Sequence, residues 1–572
     1  MAGTEALAQQ PQSTTPTGAA AHGGALPRGL MTTPSSSTST GRFGRLFRRL
    51  PVFTSDPASM VVLGAAMLQP IETDAKGNKT LDTRLGDVDP DENTNLLSNG
   101  QLRLPAGYTY FGQFVDHDIT FDPVSSLTRQ NDPDALIDFR TPKFDLDNLY
   151  GRGPQDQPYM YQDDGISLLE GSAIGPDSQR DLPRAENNRA IVGDPRNDEN
   201  KIISQLQATF IRLHNRTLKW VSDNEPEFTT SDDVLKRAQQ LVRWHYQWVV
   251  VHDFLRRVVG DDPFQPGQGV VSDILGSQSD ATASDGASAV RPKLLFYHYT
   301  SKPFMPIEFS VAAYRYGHSI IRPSYQINAF LLQALPQPRP VPGLAGVTSN
   351  RIPIFTHTTG RTDSLSSFDV IVPKWGVDWN FFLPISSAQN LPQPSYKLDT
   401  QIAHPLGSLP DKVAPAGALA PGFSDQVAQA LPVRNLLRGL RLGLPDGEHV
   451  ARAMGLTPDP KIAITADTLK SALDNDLNIT QSQVDAAAQD LAGKGRTPLW
   501  YYILAEAEQQ QSAHLGPVGG RIVAETIIGL LVGDPLSYLS VQPNWEPNFP
   551  RRNAKVSEPF TLSDLIAFAL SA

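Results

Sequence analysis

Three residues of the segment Gly112–Asp118 could work together in acid–base chemistry. Gln113, Asp116 and His117 have the spacing i, i+3 and i+4, so on a helix they present an amide, a carboxylate and an imidazole on one face. An imidazole titrates near neutrality and can take up and return a proton. Taken alone, however, a histidine between two aspartates is more often a solvated or hydrogen-bonded residue than a catalyst.

A second segment, Arg140–Gly151, carries oxygen-bearing side chains at alternating positions. Asp145 and Asp147 follow Thr141 in a short loop, and carboxylate, hydroxyl and backbone carbonyl oxygens are the ligands that Ca²⁺ prefers. Because many D-x-D loops have this composition, the loop alone does not establish a calcium site.

Two further segments combine charged residues with glycine. Gly193–Asn200 opens a helix with Arg196 and Glu199 three residues apart, which by itself indicates an N-terminal cap and a surface ion pair. Tyr314–Arg322 contains His318 directly after a glycine, whose lack of a side chain would let a flat cofactor approach closely. A lone histidine of this kind is usually structural.

The elements that must position these residues are predicted to be mainly helical. Helices are predicted at 200–221, at 231–259 with Ser231 as N-cap, at 499–508 with Thr497 as N-cap and Pro498 at N1, and at 518–532 before Gly533 and Pro535. Segments 262–290 and 333–350 are rich in Pro, Gly, Ser and Asp and are predicted to be surface loops. The clearest strand is 368–372, ended by Pro373.

We therefore expect a mainly α fold: one large helical domain over 51–572 with few short strands and long loops, after an N-terminal arm of residues 1–50. Residues 1–40 have almost no large apolar side chains and are predicted to be disordered. Residues 42–50 are basic with interleaved apolar residues. This stretch could touch an anionic membrane, but packing on the domain is the favoured interpretation.

Composition excludes several classes of protein. The chain has no cysteine, so disulfides, thiolate metal centres and cysteine nucleophiles are excluded. A net charge of −11 argues against a nucleic-acid partner. No apolar run approaches the ~18–20 residues that a membrane span needs, and the run 60–68 is too short and too far from the start for a signal peptide.

In this order, the four segments resemble the animal-type haem peroxidase superfamily, which includes myeloperoxidase-like peroxidases and the cyclooxygenases. The family pattern consists of G-Q-x-x-D-H-D, a calcium loop ending in Tyr-Gly, G-D-x-R-x-x-E before a helix with R-x-H-N-R, and R-[FY]-G-H. The sequence matches all four, and Leu515–Glu525 is also similar to a C-terminal stretch of the family. The resemblance extends over about residues 105–545.

The resemblance implies that the chain binds haem b and cleaves H₂O₂. His117 would be the distal base, Arg196 would stabilise the charge that develops as the O–O bond breaks, and Gln113 would orient peroxide, water or a halide. His318 would be the proximal iron ligand. Asn435, in a segment similar to a later helix of the family, would hold the other ring nitrogen of that histidine.

The resemblance also implies how cofactors could be held. Asp116 and Glu199 occupy the positions that form ester bonds to haem methyl groups in the mammalian peroxidases, so a covalent haem is chemically open to this chain. The next residue is Asn200, not methionine, which excludes the sulfonium link of myeloperoxidase. A Ca²⁺ ion next to the distal histidine would be held by Asp118, Thr141, Asp145, Asp147 and the backbone carbonyl of Lys143.

The expected function is that of a haem-dependent peroxidase acting on H₂O₂ and a small donor such as a halide, thiocyanate or a phenol, with a role in the response to oxidative stress. The alternative is a fatty-acid oxygenase of the cyclooxygenase or diol-synthase type. Such enzymes need a tyrosine three residues before the proximal histidine, where this chain has Arg315 between Tyr314 and Tyr316. The retained Asp116 also favours the peroxidase.

An alternative from a different class is a haem-free, calcium-stabilised structural or adhesive protein. Retention of Gln113, His117, Arg196 and His318 together speaks against it. Since the animal relatives are secreted and disulfide-bonded, we expect a bacterial-type relative, cytoplasmic or exported without an N-terminal signal. The sequence leaves the reducing substrate and the oligomeric state open, and a monomer is compatible with it.

Overall fold

The computed structural model describes residues 41–81, 103–122, 127–128, 130–131, 137–175, 179–263, 267–276, 292–299, 302–356, 362–386, 392–552 and 558–571. Within these ranges the chain is mainly α-helical, as predicted. The helices are α1 (Pro57–Ala66), α2 (Ala106–Ile119), α3 (Asp147–Tyr150), α4 (Lys201–Asn224), α5 (Ser231–Val249), α6 (Arg256–Val259), α7 (Val270–Leu275), α8 (Ala329–Ala334), α9 (Leu431–Arg441), α10 (Gly447–Ala453), α11 (Ala466–Lys470), α12 (Gln481–Leu491), α13 (Leu499–Glu508), α14 (Pro517–Gly533), α15 (Tyr538–Val541) and α16 (Leu562–Leu570).

Strands in the described residues are short, as predicted, and form three small sheets. They are β1 (Gly41–Gly44), β2 (Glu72–Thr73), β3 (Lys79–Thr80), β4 (Ile137–Asp138), β5 (Met305–Pro306), β6 (Ser324–Tyr325), β7 (Arg339–Pro340), β8 (Val347–Ser349) and β9 (Ile352–Pro353). The sheet orders are β4-β1-β5, β2-β3-β8-β7 and β6-β9. Single-turn 3₁₀ or π segments connect many of the helices, and two of them, Pro195–Asp198 and Ala313–His318, carry predicted site residues.

The predicted helix that follows the G-D-x-R-x-x-E motif is α4. Its N-cap is Asn200, whose side chain accepts hydrogen bonds from the backbone N–H groups of Ile202 and Ile203. The helix predicted at 231–259 is divided into α5 and α6, which a π-helical turn joins. α6 ends at Val259, as predicted. The N-cap of α5 is Thr230 rather than Ser231, since Thr230 Oγ1 is the atom that accepts from Asp233 N.

Three other expectations are corrected at this level. Thr497 does not cap α13, because its hydroxyl donates to Glu448 Oε1 at 2.6 Å and Pro498 occupies the cap position. Residues 368–372 do not form a strand: Phe368 has φ +62° and the segment turns. The predicted loops contain α7 and the β7–β8 pair, although much of 262–290 lies outside the described residues.

The basic N-terminal stretch packs on the domain, the interpretation the sequence favours. Phe43 and Phe47 are buried, and β1 pairs with β4 and β5. Glu308 accepts hydrogen bonds from Leu46 N and Phe47 N, and the Arg45 guanidinium donates to two backbone carbonyls after α9. Residues 41–47 are therefore packed on the domain, and residues 1–40 lie outside the described part.

Close contacts between helices fix the positions of α9 and α2, the two helices on either side of the site. A Cβ on Gly64 of α1 would lie 2.7 Å from the backbone of Val433, so only glycine lets α1 approach α9 this closely. On α2, Phe114 stacks on Phe210 of α4 with ring centroids 4.4 Å apart. None of the helices in the described ranges is both long enough and apolar enough to cross a bilayer.

Candidate active site

A cavity lies between α2 on one side and the 3₁₀ segment Ala313–His318 with α9 on the other. It encloses about 1080 Å³ of space, its opening to solvent included. Its polar lining comprises Thr109, Gln113, Asp116, Thr120, Asp122, Glu199, Ser310, Tyr314, Arg315, Tyr316, His318 and Arg438. Four residues predicted to form one site, Gln113, Asp116, Glu199 and His318, are thus brought together although they are distant in sequence.

Hydrogen bonds between side chains hold the α2 side of the cavity, which we call the distal wall. Gln113 Nε2 donates to Glu199 Oε1, and Asn200 Nδ2 donates to Gln113 Oε1 at 3.4 Å. Asp116 lies one helical turn after Gln113 on the same wall of the cavity. The wall therefore presents two carboxylates with an oriented amide next to one of them.

His117 lies in the layer directly behind this wall and is completely buried. Its Nδ1 atom is 2.6 Å from Asn197 Oδ1. The sequence did not single out Asn197, which occupies a variable position of the G-D-x-R-x-x-E motif. No local pattern could have marked it, because its contact is made across 80 residues of chain.

Arg196 is buried in the same layer and is held on several sides. Its Nη2 donates to the carbonyls of His117 and Thr120, and its Nε and Nη2 donate to Asp194. Burial alone would raise the pKa of Asp194, but Arg140 and Arg196 overcome this effect and lower it. Among the described residues, Arg196 Nη1 has no hydrogen-bond partner, so this is the atom that Arg196 can offer to a ligand.

The opposite side of the cavity, formed by Ala313–His318 and α9, is the proximal wall, and it contains the predicted pair of His318 and Asn435. Asn435 Nδ2 lies 2.8 Å from His318 Nδ1, and Asn435 Oδ1 accepts from Arg315 Nη1 at 2.6 Å. A Cβ on Gly317 would meet no heavy atom within 4 Å. The structure thus brings Asn435, the residue that the sequence similarity at 431–438 suggested, next to His318.

Buried arginines surround this wall. Arg438 on α9 pairs with Asp122 at 3.0 Å, one turn from Arg434. Burial and the charge of Arg438 lower the pKa of Arg315 to about 9, and burial together with both other guanidinium groups lowers the pKa of Arg434 to about 9. The three guanidinium groups of Arg315, Arg434 and Arg438 outnumber the two carboxylates that act on Arg315, those of Asp116 and Asp122, which favours an anionic ligand here.

The predicted metal ligands also converge, next to His117. One carboxylate oxygen from each of Asp118, Asp145 and Asp147 lies within 4.8 Å of the others. Thr141 Oγ1 donates to Asp145 Oδ2 at 2.7 Å. The Lys143 side chain pairs with an aspartate outside the loop, Asp534, at 3.3 Å, which leaves only its backbone carbonyl for a metal.

Electrostatics at this cluster favours a cation. Burial, and then the charges of Asp145 and Asp147, raise the pKa of Asp118 well above its usual range. Burial also raises the pKa of Asp147 to about 7, although Arg140 opposes the shift. Three carboxylates gathered in the interior repel one another unless a cation compensates them.

Comparisons with known proteins agree with this geometry. Residues 128–342 match the model of the family described as animal haem peroxidase. No curated protein sequence matches the chain. Peroxidase A from Dictyostelium discoideum has a similar structure, with a TM-score of 0.54 and 14% sequence identity over 97% of this chain and 99% of that one. A fatty acid alpha-dioxygenase from Arabidopsis thaliana follows, with a TM-score of 0.50 and 14% identity over 91% and 80%.

The fold and the cavity define a mainly helical protein with a histidine, His318, on the wall of a cavity. Residues 128–342 match the animal haem peroxidase family, and the fold of the chain is similar to that of peroxidase A. At 14% identity the structural likeness concerns the fold, and because it includes both a peroxidase and a dioxygenase, it does not select between their activities.

Haem, the cofactor that this family implies, fits the residues present. The free space beside Gly317 leaves room for a flat ring next to His318, and apolar side chains such as Ile307 and Leu431 line the remaining cavity. The surplus positive charge of Arg315 and Arg438 suits the two propionate groups of haem b.

Proposed function

We propose that this chain is a haem-dependent peroxidase that reduces H₂O₂ and oxidises a small donor such as a halide, thiocyanate or a phenol. The observation that carries the proposal is the arrangement around one cavity. His318, held by Asn435, lies on one wall, and Gln113 with two carboxylates lies on the other, with His117 directly behind. This arrangement supports separate sites for cofactor attachment and for proton transfer.

In the proposed mechanism, haem held by His318 would supply the two electrons that cleavage of the O–O bond requires, and the donor would later replace them. His117 accepts a proton from one peroxide oxygen and gives it to the other oxygen, which leaves as water, so the imidazole regains its initial state. Gln113 orients the peroxide. Arg196 Nη1 stabilises the negative charge on the departing oxygen.

The position three residues before His318 supports peroxidase over fatty-acid oxygenase chemistry. The oxygenases need a tyrosine there, whereas Arg315 is bound by its guanidinium to Asn435 and to the Ser310 carbonyl. The neighbouring Tyr314 donates its hydroxyl to the Gly112 carbonyl at 3.2 Å, a contact with the distal helix. Tyr314 and Tyr316 flank Arg315, but neither of them occupies the position three residues before His318.

We also propose that the carboxylate cluster binds Ca²⁺, the hard cation that oxygen ligands of this kind favour. The proposed ligands are Asp118, Asp145, Asp147, the Thr141 hydroxyl and the Lys143 carbonyl. Asp116 and Glu199 both line the cavity, and we propose them as the attachment points of a covalently bound haem.

The test is rapid-mixing kinetics of the haem-loaded protein with H₂O₂, followed by turnover of iodide, thiocyanate and a phenol. We expect wild type to react with peroxide, and His117→Ala to keep its haem but lose about 10²-fold or more of the rate. His298→Ala is the matched control, because His298 is exposed and bonds only to a local carbonyl.

Two outcomes would contradict the proposal. Oxygen uptake with linoleate and without added peroxide would indicate an oxygenase. A protein that shows no Soret band after expression with an adequate haem supply would indicate a structural role.

A further inference from the structure

Three buried amide groups form a hydrogen-bonded chain that ends on His117. Gln207 Nε2 donates to the backbone carbonyl of Asn148 at 3.2 Å. Asn197 Nδ2 donates to Gln207 Oε1 at 2.7 Å, and Asn197 Oδ1 lies 2.6 Å from His117 Nδ1. The chain therefore connects the distal helix α2 to α3, which follows the proposed calcium loop.

The direction of this chain is fixed from its far end. A backbone carbonyl can only accept a hydrogen bond, so Gln207 must turn its NH₂ group toward Asn148. Its oxygen then faces Asn197, which must turn its own NH₂ group toward Gln207. Asn197 consequently presents oxygen to His117, and Nδ1 of that imidazole must carry the proton and donate it.

Burial makes this direction strict. The side chains of Asn148, Asn197, Gln207 and His117 all have 0% exposure. A reversed amide would place two donors or two acceptors against each other in the interior, where water does not compensate them.

We propose that Asn197 and Gln207 are positioning residues that hold His117 as its Nδ1–H tautomer. The unprotonated nitrogen is then Nε2, which serves as the proton acceptor for H₂O₂. This role rests on the proposed peroxidase function. The tautomer itself does not, because it follows from the hydrogen bonds alone.

A direct test measures the tautomer. In full-length protein labelled with ¹⁵N-histidine and held in the diamagnetic ferrous carbonyl form, long-range ¹H–¹⁵N correlations distinguish the two tautomers. The His117 signal is assigned by its loss in His117→Gln. We expect Nδ1–H in wild type, a mixture in Asn197→Ala and Gln207→Leu, and Nδ1–H again in Gln207→Glu, whose protonated carboxyl donates to the Asn148 carbonyl and keeps its other oxygen facing Asn197.

Gln205→Leu is the matched control for these variants. Gln205 is on the same helix and its buried amide also donates to a backbone carbonyl, that of Arg180 at 2.6 Å, but it has no link to His117. An Nε2–H tautomer in wild type would overturn the proposal. A tautomer that stays unchanged in both Asn197→Ala and Gln207→Leu would also overturn it.

A second test separates proton acceptance from general damage to the site. Asn197→Ala and Gln207→Leu should slow the reaction with H₂O₂ by about tenfold or more, and the reaction with an already ionised peroxyacid by less than about threefold, because the latter needs no base. Equal slowing of both reactions would contradict the positioning role. If wild type does not react with H₂O₂ at all, the peroxidase function fails, and the spectroscopic result still decides the tautomer.

Discussion

Asn435 Nδ2 lies 2.8 Å from His318 Nδ1, and the oxygen of the same amide accepts from Arg315. With the amide in this direction the imidazole proton is on Nε2. Ligation of iron through Nε2 requires that proton to be on Nδ1 and an oxygen to face it. Binding of haem is therefore coupled to the direction of one buried amide.

The first prediction concerns this pair. Asn435→Asp presents only oxygen atoms to His318 and to Arg315, so it should favour the ligating tautomer and make the imidazole a stronger donor. We expect a higher iron–histidine stretching frequency and a lower reduction potential than in wild type, with opposite shifts in Asn435→Leu. Resonance Raman spectra and redox titration measure both quantities. Identical spectra for the two variants would show that Asn435 does not act on the proximal ligand.

The second prediction concerns the buried arginines. Arg438→Leu removes a cation that lines the cavity and leaves Asp122 buried with less compensation. We expect the affinity for haem to fall by about tenfold or more, since a charge-assisted contact to a propionate contributes about 1.5–3 kcal/mol. Titration of the apoprotein with haem measures this. Arg441→Leu, on the same helix but not on the cavity wall, should bind haem as wild type does.

The third prediction concerns removal of calcium. Burial and the neighbouring carboxylates raise the pKa of Asp118 above its unfolded value, so its ionisation lowers the stability of the calcium-free protein as the pH rises from about 4 toward neutrality. Without calcium at pH 7, Asp118→Asn should therefore have a higher melting temperature than wild type. The same variant should lose the increase in melting temperature that Ca²⁺ gives wild type.

Differential scanning calorimetry with and without a chelator measures both effects. The control is Asp467→Asn, because Asp467 is fully exposed and pairs only with Lys470. If calcium stabilises Asp118→Asn as much as wild type, the metal site lies elsewhere.

The fourth prediction concerns covalent attachment. Both Asp116 and Glu199 line the cavity, so after turnover with peroxide we expect haem to stay with denatured wild-type protein in mass spectra. Asp116→Ala and Glu199→Ala should each lose one bond, and the double variant should release free haem. Free haem from wild type after turnover would exclude the ester links and leave the peroxidase proposal standing.

Short-range chemistry explains what could be predicted from the sequence. The i, i+3, i+4 spacing on α2 predicted that Gln113, Asp116 and His117 share a face, because helix geometry is local. Gln113 and Asp116 both line the cavity, whereas His117 is buried and does not line it. The helix predicted at 200–221 and the end of α14 at Gly533 follow from local residue patterns in the same way. The strand predicted at 368–372 is wrong: Phe368 has a positive φ and its N–H donates to the Asp198 carbonyl, a contact that the residue pattern does not encode.

By itself, the sequence predicted the mainly helical fold class, the resemblance to the animal-type haem peroxidases, and residues that converge on the cavity and on the carboxylate cluster. Only the tertiary structure decided which groups contact them: Asn197 and Gln207 behind His117, and Arg438 beside Asp122. These contacts join positions from 10 to 316 residues apart. The direction of a buried hydrogen bond depends on which groups the fold brings within about 3 Å, and this depends on the packing of the whole chain.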